Sequence, residues 1–330
     1  MIISRTPFRV SLFGGGSDYP AWFQENGGSV LGFTINKYCY ISLRELPPFF
    51  EHKFRIAYSE IEMVKSVEEI EHPAVRFVLQ EMGVKTGLEI HHDGDLPARS
   101  GLGSSSCFTV GLINALYAFN GQMISKRDLA NKAINIEQNV IRENVGSQDQ
   151  IWAAHGGINR ITFHRDSSFT VEPLIMSKEN GDTLNKSLML FFTGVSRTAE
   201  VIAKKKIANL KHRENHIRKM VSMVDEVKQV LGSSNPDFNT VGNLLHESWS
   251  LKRELADGVT NKQIDEAYYS AIDAGAVGGK VLGAGGGGFM VFYVHPEKQK
   301  AVAERLKNWL LVKFNFDMEG SKILVFDPIY

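Results

Sequence analysis

The chain has 330 residues, 43% of them hydrophobic and 22% charged, a composition that suits a globular protein of one large or two modest domains. Its 37 basic and 37 acidic side chains cancel, so overall charge gives no ground for nucleic acid or an anionic membrane as partner. Cys39 and Cys107 are the only cysteines, no apolar run is long enough to span a bilayer, and MIISRTPFRV lacks a charged leader followed by an apolar signal core, so a cytoplasmic α/β or α+β enzyme is the expected class.

In chain order, the alternating segments RVSLF, YCYISLR, LEIHHD and INRITFH predict strands, and VRFVLQEM, CFTVGLINALYAF and DLANKAINIEQNVIREN predict helices. SKENGDTLNKS reads as a turn before the strand SLMLFFTG, which sets a boundary near residue 180 and gives expected domains of 1–180 and 181–330. A long charged helix is expected over 199–231, then helices over 238–257 and 263–274. A glycine-rich loop, the strand FMVFYV, a helix over 297–314 and the closing strand KILVF complete a half in which helices pack on a sheet.

One helix start is unusual. LPARSGLGSSS at 96–106 runs directly into CFTVGLINALYAF, and serine and glycine are poor helix formers. A helix N-terminus offers unpaired N–H groups and about half a positive charge, and glycine lets an anion approach the backbone, so phosphate suits this site. Serine hydroxyls there can bond phosphate oxygens or help hold magnesium. The simpler alternative makes Ser104 to Ser106 plain N-caps.

No G-x-x-x-x-G-K-[ST] occurs, since Lys280 is followed by Val281, which argues against a P-loop enzyme. GAGGGG at 283–288 leads into a strand rather than a helix, so a dinucleotide fingerprint fails on context and a tight turn is the plain reading. In the helix before residue 145, Glu137 falls near the middle of an apolar arc, so it is either paired with a cation or at the mouth of a cleft. Asp149 stands in a short polar segment after Gly146, explicable by turn or cap chemistry or by function. His91 and His92 read as a strand end, and Lys204 to Lys206 as a solvated helix face.

Three ordered motifs, PFRVSLFGGGSDY at 7–19, LPARSGLGSSS at 96–106 and VLGAGGGGFM at 281–290, resemble those of the GHMP small-molecule kinases over essentially the whole chain. The subgroup it is most similar to, on KYCYISLRELPPFFEHK and ARSGLGSSS, is the bacterial heptose 7-phosphate kinases. The resemblance implies an α+β fold of two domains: an N-terminal domain like domain 2 of ribosomal protein S5 and a ferredoxin-like C-terminal domain, with the active site between them. It implies ATP and Mg2+ as cofactors and a sugar phosphate as substrate, on the route to nucleotide-activated heptose and surface glycan.

Carried over motif by motif, the resemblance makes Asp149 the catalytic aspartate, with Arg9 beside it stabilising the carboxylate and the developing alkoxide. ATP would meet Arg99, Ser100, Gly101, Leu102, Gly103, Ser104, Ser105 and Ser106, and the metal Ser105 and Glu137. Substrate would meet Gly15, Gly16, Ser17, Asp18, Asp149, Arg197, Gly285, Gly286 and Gly287. Galactokinases carry a glutamate and a histidine where this chain has Gly15 and Gly16, which argues against galactose and leaves room for a longer sugar. Arg99 stands where the family usually has glycine, as an added phosphate contact or a surface residue. Cationic partners for a 7-phosphate are sought among Lys37, Arg44, His52, Lys53, Arg55 and Arg197. The rival readings are a neutral-sugar 1-kinase of the fucokinase or galactokinase kind and a non-catalytic sugar and nucleotide sensor.

Overall fold

Two long strands, β1 (Ile2–Phe13) and β2 (Gly28–Glu45), pair antiparallel and carry most of the first sheet. In the computed structural model, which describes residues 1–194 and 199–327, they are joined by a glycine turn and α1 (Pro20–Asn26). There follow β3 (Phe54–Ala57), β4 (Ile61–Val64), α2 (Pro73–Glu81), β5 (Leu88–Gly94), α3 (Ser104–Phe119), α4 (Lys126–Asn135), α5 (Gln148–His155), β6 (Ile158–Phe163) and β7 (Phe169–Pro173). The second part contains α6 (Lys178–Ser187), β8 (Leu188–Phe192), α7 (Ala199–Asn209), α8 (Glu214–Leu231), α9 (Phe238–Arg253), α10 (Lys262–Asp273), β9 (Ala276–Val281), β10 (Phe289–Val294), α11 (Gln299–Arg305) and β11 (Leu310–Val312). The chain ends with β12 (Phe316–Asp317) and β13 (Lys322–Phe326).

The first sheet runs β13-β1-β2-β5-β3-β4, with β6 and β12 also pairing with β2 and β7 with β6. Its core takes in α3, buried along nearly its whole length, and the stripe Ile217, Met220, Val224, Val227 and Leu231 of α8. The second sheet, β11-β8-β10-β9, is antiparallel throughout and packs Phe191, Phe292 and Met290 against Trp249 and Tyr268. Strands and helices alternate there as β-α-β-β-α-β with the fourth strand beside the first, the ferredoxin-like order, and the whole is an α+β fold. Among the described residues no helix is long and apolar enough to cross a membrane.

Several elements differ from the sequence reading. SKENGDTLNKS forms α6, whose N-cap Ser177 accepts a hydrogen bond from the Asn180 N–H at 3.1 Å. The helix expected over 199–231 is broken by a 3-10 turn at Lys211–Arg213. The helix expected over 297–314 stops at Arg305, and Leu310–Val312 leave it to pair with the edge of β8. KILVF does not close the second sheet: β13 returns to pair with β1, so the chain ends in the layer where it began.

Candidate active site

The site assembles where the ends of three buried elements converge, and α5 organises it. Successive helical residues point about 100° apart, so three neighbours in its first turn reach three different groups. Gln148 donates to Asp18 Oδ2 at 2.8 Å, Asp149 accepts from Arg9, and the Gln150 amide donates to Glu137 Oε2. Sequence reasoning missed both glutamines. Their signal is position alone, one on each side of the catalytic candidate.

Arg9, 4% exposed, grips Asp149 with a two-pronged contact, Nε to Oδ1 at 2.8 Å and Nη2 to Oδ2 at 2.6 Å, and its Nη1 donates to the Gly101 carbonyl at 2.7 Å. That geometry is the strong form of an arginine–carboxylate pair and fixes the carboxylate plane. Asp149 retains 24% exposure, so the pair is buried behind and open in front. Asp18 is buried and accepts from the Gly16 N–H at 3.0 Å. Burial, together with the charge of Asp149, raises its pKa above the usual carboxylate value, while the bonds from Gly16 and Gln148 pull the other way. Gly146 is required beside it, because a Cβ there would lie 1.8 Å from Asp18 Oδ2. Burial beside Asp18 and Asp149 also pushes the pKa of the Tyr19 phenol above its ordinary value.

Ser17 has a different task. Its hydroxyl donates to the carbonyls of Gly14 and Ser29 and accepts from the Ser29 N–H, so its contribution is to hold the turn that presents Asp18. At Gly15 an added Cβ would meet nothing nearer than Ser11 Oγ at 3.9 Å, whereas at Gly16 it would come within 2.9 Å of Ile217.

The serine-rich loop does not fit the plain N-cap reading. The N-cap of α3 is Gly103, in the left-handed region at φ 78°, with no side-chain cap, so the first-turn N–H groups are not capped by the serines. Ser104 Oγ instead accepts from the Arg99 N–H at 3.0 Å, and Ser105 is exposed. Arg99 is itself exposed at φ 57°, which explains why glycine suits that position. Ser100 is buried, with its carbonyl accepting from Phe289 N–H and its hydroxyl without a partner among the described residues; the Leu102 carbonyl accepts from Arg9 N–H. A Cβ on Gly103 would stand 3.3 Å from Asp149 Oδ2, so the uncapped helix end abuts the Arg9–Asp149 pair.

The serine brought to Glu137 is Ser106, not the Ser105 assigned with it to the metal: Ser106 Oγ donates to Glu137 Oε2 at 2.8 Å. Glu137 lies in a single π-helical turn, Ile136–Val140, a local widening often found at functional positions. No cation meets it among the described residues, which excludes the salt-bridge reading there; burial, with the charge of Glu143 adding to it, raises its pKa to about 7 against the polar groups of Thr109, Ser106 and Gln150 around it. Its second oxygen, Oε1, is buried with no hydrogen-bond partner among the described residues. A magnesium ion would satisfy that oxygen. Among the described residues no cluster of three or more His, Cys, Asp or Glu forms a cage, and the donors fit an ion held by one carboxylate and nucleotide phosphates.

The third glycine tract meets the serine-rich loop backbone to backbone: a Cβ on Gly283 would lie 2.6 Å from Gly101 Cα, and on Gly288 2.1 Å from the Ser100 carbonyl. Gly285 and Gly286 turn instead toward Val259, whose carbonyl accepts from the Gly286 N–H at 2.8 Å, and Gly287 follows them. The backbone of this tract is tied down by Lys252, whose Nζ donates to the Val281 and Gly283 carbonyls at 2.6 and 2.8 Å. Lys280, equally buried, donates to the Leu12 carbonyl at 2.7 Å.

The basic residues sought for a distal phosphate mostly lie elsewhere. Arg9 pairs with Thr34 of β2, whereas Arg44 pairs with Glu89 at the opposite end, about ten residues or roughly 30 Å along the strand. Arg44 and Arg55 both bind the Glu89 carboxylate, together with His91, and this holds its pKa down to about 2 against the desolvation of a largely buried group. His52 and Lys53 precede β3 at the same distant end. These four are therefore removed from the site. Lys37 lies three residues beyond Thr34 on β2, and Arg197 lies outside the described residues.

Comparison with known proteins agrees with this architecture. Residues 63–157 match the GHMP kinases N terminal domain and residues 204–310 the GHMP kinases C terminal domain. The chain is 29% identical to a D-glycero-alpha-D-manno-heptose 7-phosphate kinase of Campylobacter jejuni, over 97% of this chain and 98% of that protein. It is 26% identical to a bifunctional fucokinase/GDP-fucose pyrophosphorylase of Arabidopsis thaliana, covering 91% of this chain but 30% of the larger protein. A crystal structure of a D-glycero-D-manno-heptose 1-phosphate kinase from Bacteroides thetaiotaomicron superposes with a TM-score of 0.80 at 26% identity over the full length of both chains. The two matched domains and the α+β architecture make this chain a member of the GHMP kinase family.

Proposed function

We propose that the protein transfers the terminal phosphoryl group of ATP to the anomeric hydroxyl of D-glycero-D-manno-heptose 7-phosphate, giving the 1,7-bisphosphate and ADP. The observation that carries this reading is the contact between the uncapped N-terminus of α3 and the Arg9–Asp149 pair, which brings a phosphate site and an oriented carboxylate together. Likeness to the Campylobacter heptose 7-phosphate kinase over both chains supports the choice of sugar. The open space at Gly15 supports an acceptor longer than galactose.

In this mechanism the first-turn N–H groups of α3 and the Gly101–Ser106 loop hold the nucleotide phosphates. Asp18 orients sugar hydroxyls, and Asp149 orients the anomeric hydroxyl and accepts its proton as the oxygen attacks phosphorus. The bond from phosphorus to the ADP oxygen breaks as the new one forms. Arg9 keeps the Asp149 carboxylate in plane and stabilises negative charge on the attacking oxygen. Glu137, with Ser106 beside it, would hold magnesium together with the nucleotide, and the ion would supply neutralisation of phosphate charge. Positioning and electrostatics account for most of the rate gain in such transfers. The chain is read as two domains, 1–180 and 181–330, with its last strands returning to the first, acting in the cytoplasm on the route to nucleotide-activated heptose and surface glycan.

A second reading, a neutral-sugar 1-kinase, is favoured by the likeness to the Arabidopsis fucokinase and to a galactokinase of Pyrococcus furiosus, 26% identical over 96% of this chain and 95% of that protein. Measured kcat/KM values for heptose 7-phosphate, unphosphorylated heptose, L-fucose and galactose separate the two. The proposal expects heptose 7-phosphate to lead by roughly tenfold or more, since a site built for a charged group is left unpaired by a neutral sugar. A preference for L-fucose or galactose would overturn it.

A further inference from the structure

The three consecutive lysines 204–206 read in sequence as a solvated face, but only the first two are exposed. Lys206 is 6% exposed and lies one helical turn after the buried Ile202, so α7 turns it inward with its apolar stripe. It belongs to a group of four buried cations around the cleft, with Arg9, Lys252 and Lys280. Three of them are engaged: Arg9 with Asp149 and the Gly101 carbonyl, Lys252 with two carbonyls of the third glycine tract, and Lys280 with the Leu12 carbonyl.

Lys206 differs from the other three. Among the described residues no acceptor is hydrogen bonded to its ammonium, although that group has three donors. Asp18 is the charge that favours its protonation, yet no hydrogen bond joins the two, and the bonds Asp18 does accept come from the Gly16 N–H and the Gln148 amide. A desolvated cation with unused donors carries a free-energy cost that an incoming anion removes. It lies on the face of α7 that carries Ile202 and Asn209: Asn209 donates to the Leu255 carbonyl at 3.1 Å, a Cβ on Gly258 would lie 4.0 Å from Ile202, and a Cβ on Gly16 would lie 3.9 Å from Leu255, so this face borders the turn that presents Asp18, the carboxylate assigned to sugar hydroxyls.

We infer that Lys206 is the residue that selects for a phosphorylated sugar, its ammonium receiving the acceptor's own phosphate while Asp18 and Asp149 hold hydroxyls. This inference rests on the reading of the acceptor as a sugar phosphate. It gives the buried lysine a specificity role for the phosphate that remains on the substrate, distinct from the loop that binds the phosphate being transferred.

The test compares wild type with Lys206→Met, which keeps the apolar stem and removes the charge, and with Lys206→Gln as a second variant should methionine perturb folding. Steady-state constants are measured for D-glycero-D-manno-heptose 7-phosphate, for the same heptose without phosphate and for ATP, and thermal melting checks the fold. A charge-assisted hydrogen bond is worth roughly ten- to hundredfold in affinity, so KM for the 7-phosphate is expected to rise by about that factor. The loss for unphosphorylated heptose is expected to be at least roughly tenfold smaller, with KM for ATP little changed. Full retention of wild-type discrimination by a folded variant, or equal losses for both sugars, would overturn the assignment of Lys206 alone. A wild type that does not discriminate between the two sugars would overturn the sugar-phosphate reading and the assignment with it.

Discussion

Asp149→Asn is expected to lower kcat by roughly two orders of magnitude or more while leaving KM for ATP nearly unchanged. The substitution removes the proton acceptor and also turns an amide donor toward the Arg9 guanidinium, so one of the two prongs at 2.6 and 2.8 Å is lost. The proposed nucleotide site at the start of α3 is built from backbone and serines, and nothing in it requires the aspartate charge. Arg9→Met should produce a loss of similar order, and the double variant should be little worse than either single one, because the two side chains act as a unit. A coupled assay for ADP release measures all three. Near-normal turnover by folded Asp149→Asn would remove the proposed catalytic centre, and strictly multiplicative losses would separate the pair.

Glu137→Gln has a second large effect, opposite in sign for activity and stability. Activity should fall, with apparent affinity for magnesium–ATP weakened by roughly tenfold or more, as the carboxylate at the proposed metal position loses its charge. Stability of the magnesium-free protein should rise. Burial moves the pKa of Glu137 from 4.5 to about 7, so this group favours the folded state fully below pH 4.5, and that contribution disappears as pH rises through about 7. A shift of that size corresponds to about 3 kcal/mol in the charged state. Melting without magnesium should therefore show Glu137→Gln more stable than wild type at pH 8, with the difference shrinking toward pH 5. A variant that melts lower than wild type at pH 8, or a difference independent of pH, would contradict an unpaired buried carboxylate at this position.

What was legible in the sequence follows the reach of each signal. The glycine and serine pattern at 96–106 is a local signal, because flexible backbone and hydroxyls at a helix start stand out against ordinary helix formers. Glu137 was visible as a misfit on an apolar arc, but its partners were not, since Ser106 and Gln150 reach it only through tertiary packing. Lys206 shows the opposite failure: a lysine among lysines looks solvated, and its long apolar stem suits either a surface or a buried stripe. Arg44 and Arg55 are only candidates for a distal phosphate in the sequence, where charge is visible and register is not; strand pairing carries them to the far end of the sheet, onto Glu89. The α6 helix was hidden by asparagine, glycine and aspartate, residues that favour turns unless a cap and packing against β8 overrule them. The return of β13 to β1 is a long-range pairing that no local pattern encodes.

The central claim is transfer to the anomeric oxygen, and phosphorus NMR of the product tests it most directly. Incubation of the protein with ATP, magnesium and D-glycero-D-manno-heptose 7-phosphate should yield ADP and one new phosphate resonance coupled to the anomeric proton, beside the unchanged 7-phosphate. A new phosphate at any other carbon, or ADP accompanied only by inorganic phosphate, would contradict the account.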